Sequence, residues 1–251
     1  MPKNSDLVII LCAKNCEMTI KNVITNIKKS SFNPDVIVVD GFSTDNTVDL
    51  SQKIDGVKII QQSVKKFPGK GIAMKDGLNE VIKNKDKNYY KAILFLDSDI
   101  KNINSSWVDD LVRPVLERGT DMTRGFYERH PRDAAVTKIV AKPMLQIFFP
   151  ELSQFEQPLS GEVCASIHVW ETLLRCTPPD GWGIDVWFLI ETALSGYKIE
   201  EIYLGNKDHS SFDAYMEDVG KLNKMSEQVL FTIIKQAIKY KRFELYNDVH
   251  V

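Results

Sequence analysis

Four short runs of Val, Ile and Leu alternate with segments of helical period in the first hundred residues, and few folds are compatible with that alternation. The runs are Leu7–Leu11, Val36–Val39, Val57–Ile60 and Ala92–Leu96. Lys58 apart, they are apolar and rich in Val and Ile rather than alternating with polar residues, as strands covered on both faces are. Between them Ile20, Val23, Ile24 and Ile27 share one face of a helix that starts near Asn15. A second helix follows Asp45-Asn46, and a third runs from Gly71 to Ile82 with Ile72, Met74, Leu78 and Val81 along it. Strand, helix, strand, helix predicts an α/β fold: a wound, mostly parallel mixed sheet flanked by helices. Ligands of such sheets sit beyond the carboxyl ends of the strands.

Polar motifs fall at three of those ends: Cys12-Ala13-Lys14-Asn15, Asp40-Gly41-Phe42-Ser43 and Asp97-Ser98-Asp99. Two carboxylates one residue apart repel, and no Arg or Lys adjoins them in sequence. Side chains alternate along an extended segment, which puts Asp97 and Asp99 on one side. Carboxylate oxygens suit Mg²⁺ or Mn²⁺, usually shared with phosphate oxygens. With 34 acidic residues a D-x-D arises by chance, so its place at a strand end gives it weight. Asp40 can accept from a base or ribose, and Ser43 or Thr44 can cap the following helix. Phe67-Pro68-Gly69-Lys70-Gly71 opens the third helix, where backbone N–H groups and a Lys favour an anion. It lacks the spacing of a nucleoside-triphosphatase P-loop.

Beyond Ile100 the pattern predicts a helix over Trp107–Leu116, a strand at Asp121–Phe126 and a polar stretch over 128–133. Helices follow at Thr137–Phe149, broken or kinked at Pro143, at Val169–Cys176 and at Asp185–Leu194. A strand at Ile199–Leu204 ends in Gly205, and 212–251 read as one long C-terminal helix. No linker or repeat divides the 251 residues, so they read as one domain: 1–100, 101–211 and the C-terminal helix. With 43% hydrophobic and 26% charged residues the chain is globular, and a net charge of −2 argues against nucleic acid as a partner. Four cysteines form no C-x-x-C, and no segment is long enough for a signal peptide or membrane span, which predicts a cytoplasmic protein.

Taken in order, these motifs resemble a known family. Asn15 and Glu17 after the first strand, V-V-D-G-F-S-T-D (38–45), P-G-K-G-I-A (68–73) and L-D-S-D (96–99) are similar to the nucleotide-sugar half of GT-A glycosyltransferases. Val136-Thr137 through Pro143, F-P-E-L (149–152), Q-P-L-S-G-E (157–162), G-W-G-I-D (181–185) and L-G-N-K-D-H (204–209) resemble the glucosyl-3-phosphoglycerate synthases, which are retaining enzymes near the mannosyl-3-phosphoglycerate synthases. The resemblance implies a GT-A fold, a metal-dependent hexosyl transfer from UDP-glucose or GDP-mannose to a small anionic acceptor, and a homodimer. It implies that Ala13, Glu17, Asp40 and Ser43 hold the nucleotide, with Lys70 at its phosphates and Asp97 and Ser98 beside it. Asp99 and His209 would bind Mg²⁺ or Mn²⁺. Val136, Thr137, Leu159, Ser160, Gly161 and Lys207 would face the acceptor, with Glu162 beside them, and Asp185 would contact the sugar. Asp99, Glu162 and Asp185 are thus the catalytic candidates.

Plainer readings stand beside these. Glu162 also reads as the partner of a nearby cation, Asp185 as a first-turn carboxylate, and His209 as a loop histidine. The chain departs from the family at three places. Ala135 replaces an Arg that grips the acceptor phosphate, with Arg129, Arg132 and Lys138 as candidate substitutes. Lys207 replaces another Arg, and Asp185 a Glu. An inverting enzyme acting on a polyprenyl phosphate or saccharide, with Asp185 as base, is the alternative reaction. A nucleotidyltransferase would need a glycine-rich loop after the first strand, which 12–17 lack. A non-catalytic sugar-nucleotide binder would have no need of both Asp97 and Asp99.

Overall fold

The computed structural model describes residues 5–83, 90–128, 134–209 and 219–243. Seven strands form one sheet: β1 (Leu7–Ala13), β2 (Asp35–Asp40), β3 (Val57–Gln61), β4 (Ala92–Asp97), β5 (Met122–Glu128), β6 (Val163–Ser166) and β7 (Ile199–Asn206). Their order is β3-β2-β1-β4-β6-β5-β7. The neighbours β1, β2, β3 and β4 run parallel, as do β5 and β7, whereas β6 is antiparallel to both β4 and β5. The sheet is therefore mostly parallel and mixed, as expected.

Alternate residues of the central strand serve opposite layers. Leu7, Ile9 and Leu11 pack with α1 (Ile20–Ile27) and, later in the chain, α4 (Ser105–Glu117). Val8 and Ile10 pack on the other face with α3 (Lys70–Lys83), α6 (Ile167–Arg175) and α7 (Ile184–Leu194). Burial on both sides is why β1 is apolar at every position, whereas the edge strand β3 is only partly buried and admits Lys58 and Gln61. The short α2 (Thr47–Gln52) follows β2, and Asp45, rather than Ser43 or Thr44, takes its first N–H: Asp45 Oδ1 accepts from Thr47 N at 3.0 Å. The first helix starts at Ile20, later than expected, because Cys16–Thr19 form a turn with Thr19 N bonded to Cys16 O.

The break expected at Pro143 takes another form. A π-helical turn, Thr137–Ala141, runs directly into α5 (Lys142–Phe148). Pro143, which has no N–H to donate, then lies in the first turn of α5, directly after Lys142 N closes the π-helical turn on Thr137 O. The C-terminal helix, α8 (Val219–Lys239), has 21 residues and not the whole of 212–251. Lys241 turns left-handed (φ 55°) just past its end, and 212–218 and 244–251 lie outside the described residues. α8 joins α5 and α7 in a third apolar cluster built on Val229, Ile233 and Ala237. No helix among the described residues is long and apolar enough to cross a membrane.

Candidate functional site

β4 carries Asp97 to the sheet end beside Cys12 of β1, and the chain then turns. Ser98 secures the turn: its Oγ donates to Cys12 O (2.8 Å), and its carbonyl accepts from Thr19 Oγ1 (2.8 Å). Because the strand stops at Asp97, strand alternation does not extend to Asp99, and the two carboxylates meet different partners. Asp97 lies between two ammonium groups, Lys70 Nζ at 3.3 Å from Oδ1 and Lys207 Nζ at 2.8 Å from Oδ2. Burial opposes its ionisation, but Lys207 and then Lys70 hold its pKa well below the ordinary carboxylate value.

Asp99 faces the segment after β7. Ile100 bridges to His209 and Lys101 N donates to Asp208 O, which brings His209 Nδ1 to 3.8 Å from Asp99 Oδ2. That separation exceeds a hydrogen bond. It falls between the about 3.0 Å of adjacent and the about 4.2 Å of opposite ligands on an octahedral ion with bonds of about 2.1 Å, so both groups can reach one ion after a small adjustment. One hard oxygen and one imidazole nitrogen fit Mg²⁺ or Mn²⁺, provided other ligands complete the sphere. No cluster of three metal-ligating side chains exists among the described residues, so these would come from substrate and water.

Lys207 and Glu162 extend the charge network inward. Lys207 Nζ lies 2.6 Å from Glu162 Oε1 as well as on Asp97, and its third contact is Tyr127 Oη at 3.4 Å. An ammonium has three donors. Lys207 thus donates to Glu162, Asp97 and Tyr127, and Glu162 is the partner of a cation as one reading held. Lys70 reaches the second buried acid, Asp185 Oδ2, at 2.9 Å. Burial pushes the Asp185 carboxyl up to about 6 against the pull of Lys70, and Asp97 adds to the rise. Gly161 lies against the same centre: a Cβ there would stand 2.4 Å from Asp97 Oδ1.

Lys70 is placed by a close approach of backbones. Cβ atoms at Gly69 and Gly71 would lie 2.3 Å from Asp180 O and 2.1 Å from Pro179 O, so P-G-K-G packs flush on 179–180. Ile72 N donates to Asp180 O, which occupies one N–H of the helix start. The loop continues into α7, whose first turn holds Asp185.

At the ends of β1 and β2 the expected nucleotide residues adjoin one another. Asn15, left-handed at φ 53°, donates its N–H to Ser43 Oγ (3.0 Å) and accepts from Thr44 N (2.8 Å). Glu17 accepts from Asn46 N and Nδ2, while buried Asp40 accepts from Ser43 N and Gln61 Nε2. Ala13 pairs with Asp40 across the strands. Of the residues expected to face an acceptor, Leu159 and Ser160 are buried beside Gly161, and Val136 and Thr137 are buried at the π-helical turn. Of the candidate cations replacing the residue absent at Ala135, Lys138 is exposed on that turn, and Arg129 and Arg132 lie outside the described residues.

Comparison with known proteins identifies the family. A family profile of the mannosylglycerate synthase GT domain matches residues 11–226. The chain belongs to the mannosylglycerate synthase glycosyltransferase family. Among this family's relatives, the glucosyl-3-phosphoglycerate synthase of Mycobacterium tuberculosis (strain CDC 1551 / Oshkosh) is 30% identical over 252 aligned residues, covering 91% of this chain and 72% of that one. The enzyme of the same name from Mycolicibacterium smegmatis is 28% identical, covering 91% of this chain and 77% of that one. A crystal structure of the M. tuberculosis protein with Mn²⁺, UDP-glucose and phosphoglyceric acid superposes with a TM-score of 0.79 at 29% identity, over 93% of this chain and 80% of that one. Another, with Mg²⁺ and UDP, gives 0.78 at 30% identity over 93% and 80%. The GT-A architecture read from the motifs is thus the architecture of the family.

Sequence reasoning missed Tyr127, Gln61 and Arg124. Tyr127 lies near the end of β5 and carries Lys207 over its ring at 4.8 Å, a pairing across 80 residues that no local pattern announces. Arg124 stands inside M-T-R-G-F-Y, where a charged residue reads as the solvent side of a strand.

Proposed function

We propose that the chain transfers glucose from UDP-glucose to 3-phosphoglycerate or a similar small phosphorylated acid, with retention and with Mg²⁺ or Mn²⁺. One observation carries this reading: Asp99 and His209 face each other at 3.8 Å beside a charge network that is already balanced. The network sets Asp97, Glu162 and Asp185 against Lys70, Lys207 and the buried guanidinium of Arg124. A diphosphate brings negative charge that this cluster has no surplus to meet. Asp99 and His209 would hold a divalent ion, whose charge would stabilise a departing diphosphate.

The chain's own groups divide the remaining work. Ala13, Glu17, Asp40 and Ser43 form the wall on which the nucleoside rests, with Ser98 fixing the adjoining turn. Lys70 exchanges its carboxylate partners for phosphate oxygens, and Asp185, released from it, accepts from a sugar hydroxyl. Leu159, Ser160, Gly161, Val136 and Thr137 line the acceptor side. Lys207 keeps Asp97 ionised there and holds Glu162 in place. The relatives named for glucosyl-3-phosphoglycerate synthesis favour UDP-glucose over GDP-mannose. We place the enzyme in the cytoplasm, as one domain per chain and two chains per particle.

UDP release from UDP-glucose, with and without Mn²⁺ and with and without 3-phosphoglycerate, tests the reading, and NMR of the product gives its anomeric configuration. Release that needs both metal and acceptor, with an α-configured product, is expected. Metal-dependent release indifferent to 3-phosphoglycerate would reject that acceptor. One observation favours the second reading: an acid pushed up to about 6, as Asp185 is, suits a general base. A β-configured product would assign inversion with Asp185 as that base.

A further inference from the structure

Arg124 is wholly buried in β5, between buried Thr123 and Gly125. Its Nη2 donates to three backbone carbonyls: Pro158 at 3.2 Å, Ser160 at 3.3 Å and Asp185 at 3.1 Å. Nε and Nη1 have no protein partner among the described residues. Burying a guanidinium costs several kcal/mol unless a carboxylate meets it directly. Here the acids Asp185, Glu201 and Glu162 act on it only through their field, and burial holds its pKa below the ordinary value. A leucine or methionine would fill the position without that cost.

What the guanidinium gains is a connection. Pro158 and Ser160 belong to the loop that runs into Gly161 and Asp97, whereas Asp185 is in the first turn of α7. These segments are 25 or more residues apart in sequence, and both approach the side chain of one strand residue. We propose that Arg124 is a positioning residue that clamps the loop Leu159-Ser160-Gly161 to the Asp185 turn, and so sets the distance between acceptor and donor sugar. This rests on the proposed function for its kinetic consequence, but the clamp itself is a property of the chain. The nucleotide wall at β1 and β2 lies outside it.

Arg124→Met and Arg124→Lys in the full chain test the clamp by two routes. Hydrogen exchange of the substrate-free protein is expected to quicken at 158–161 and 184–188 and to stay unchanged at 13–17 and 40–47. With UDP-glucose, Mn²⁺ and 3-phosphoglycerate, kcat is expected to fall about 100-fold in Arg124→Met, as misplacement by about 1 Å costs. Arg124→Lys should recover about tenfold of that loss, since it keeps charge without the planar fork. Affinity for UDP with Mn²⁺ should stay within about twofold, because the clamp spares the nucleotide wall. Asp185 is faced by Lys70, Asp97, Arg124 and the Cys12 thiol. Loss of the Arg124 charge should therefore move the acid limb of kcat to higher pH in Arg124→Met and leave it in place in Arg124→Lys. Unchanged exchange at both segments would overturn the proposal, as would a lowered Tm with wild-type kcat, KM and pH profile. If Arg124→Met does not fold, Arg124→Lys decides: quicker exchange at 158–161 supports the clamp and wild-type exchange ends it. Should the wild-type protein transfer nothing to 3-phosphoglycerate, the functional reading fails, and exchange alone judges the clamp.

Discussion

Asp97 keeps its charge where burial alone would neutralise it, because two ammonium groups reach it from opposite ends of the chain. The sequence marked Asp97, Asp99 and Lys70 as site residues by their places at element ends, and Asp185 through the family resemblance, but could not pair Lys70 with either Asp97 or Asp185. Lys70 meets Asp185 across 115 residues, a separation at which sequence pattern carries no contact information. Asp185 offers a measurement at this scale. Its pKa rises on folding from 3.8 to about 6, so it contributes stability below pH 3.8 that is lost as the pH rises through 6. Asparagine does not titrate. The stability of Asp185→Asn minus that of wild type is therefore expected to rise by about 3 kcal/mol between pH 3.5 and pH 7 in urea unfolding. A difference that stays flat would mean that Asp185 ionises at its ordinary pH.

Elements explain why these residues hold their places. The start of α3 is pressed on 179–180 so closely that neither Gly69 nor Gly71 has room for a methyl group. Gly71→Ala meets the carbonyl of Pro179, which has no flexible end to move aside. It is expected to cost about 1–3 kcal/mol in stability and to lower kcat about 100-fold by displacing Lys70. Unfolding curves and steady-state rates check both, and wild-type values would show that the approach is looser than drawn. At this scale β1 to β4 and α3 were legible, since each carries a full run of one periodicity. β6 was not. It spans four residues, Val163–Ser166, and passes into α6 through the Ser166 cap, so neither period has room to register. Yet β6 joins the two parallel halves of the sheet and delivers Gly161 and Glu162 to Asp97.

Across the whole molecule, α8 packs one side on α5 and α7 and leaves Phe231 and Ile238 more than half exposed, one above the other at a spacing of seven. Ile234, partly buried, lies between them. The proposed homodimer gives this stripe a partner. Light scattering is expected to find two chains per particle, reduced to one by Phe231→Glu with Ile238→Glu; a wild-type monomer would reject the dimer, and a variant that stays dimeric would place its interface elsewhere. What the sequence determined by itself was local: which segments are strands buried on both faces, which are helices, and which polar residues stand at their ends. Periodicity and capping act over a few residues and are written in order along the chain. What only the tertiary structure decided was pairing: Asp97 with Lys70 and Lys207, Lys70 with Asp185, and Arg124 with the two segments it joins. Those contacts depend on strand order, on the antiparallel insertion of β6 and on the return of β7 beside β5, and each is set by packing over the whole sheet.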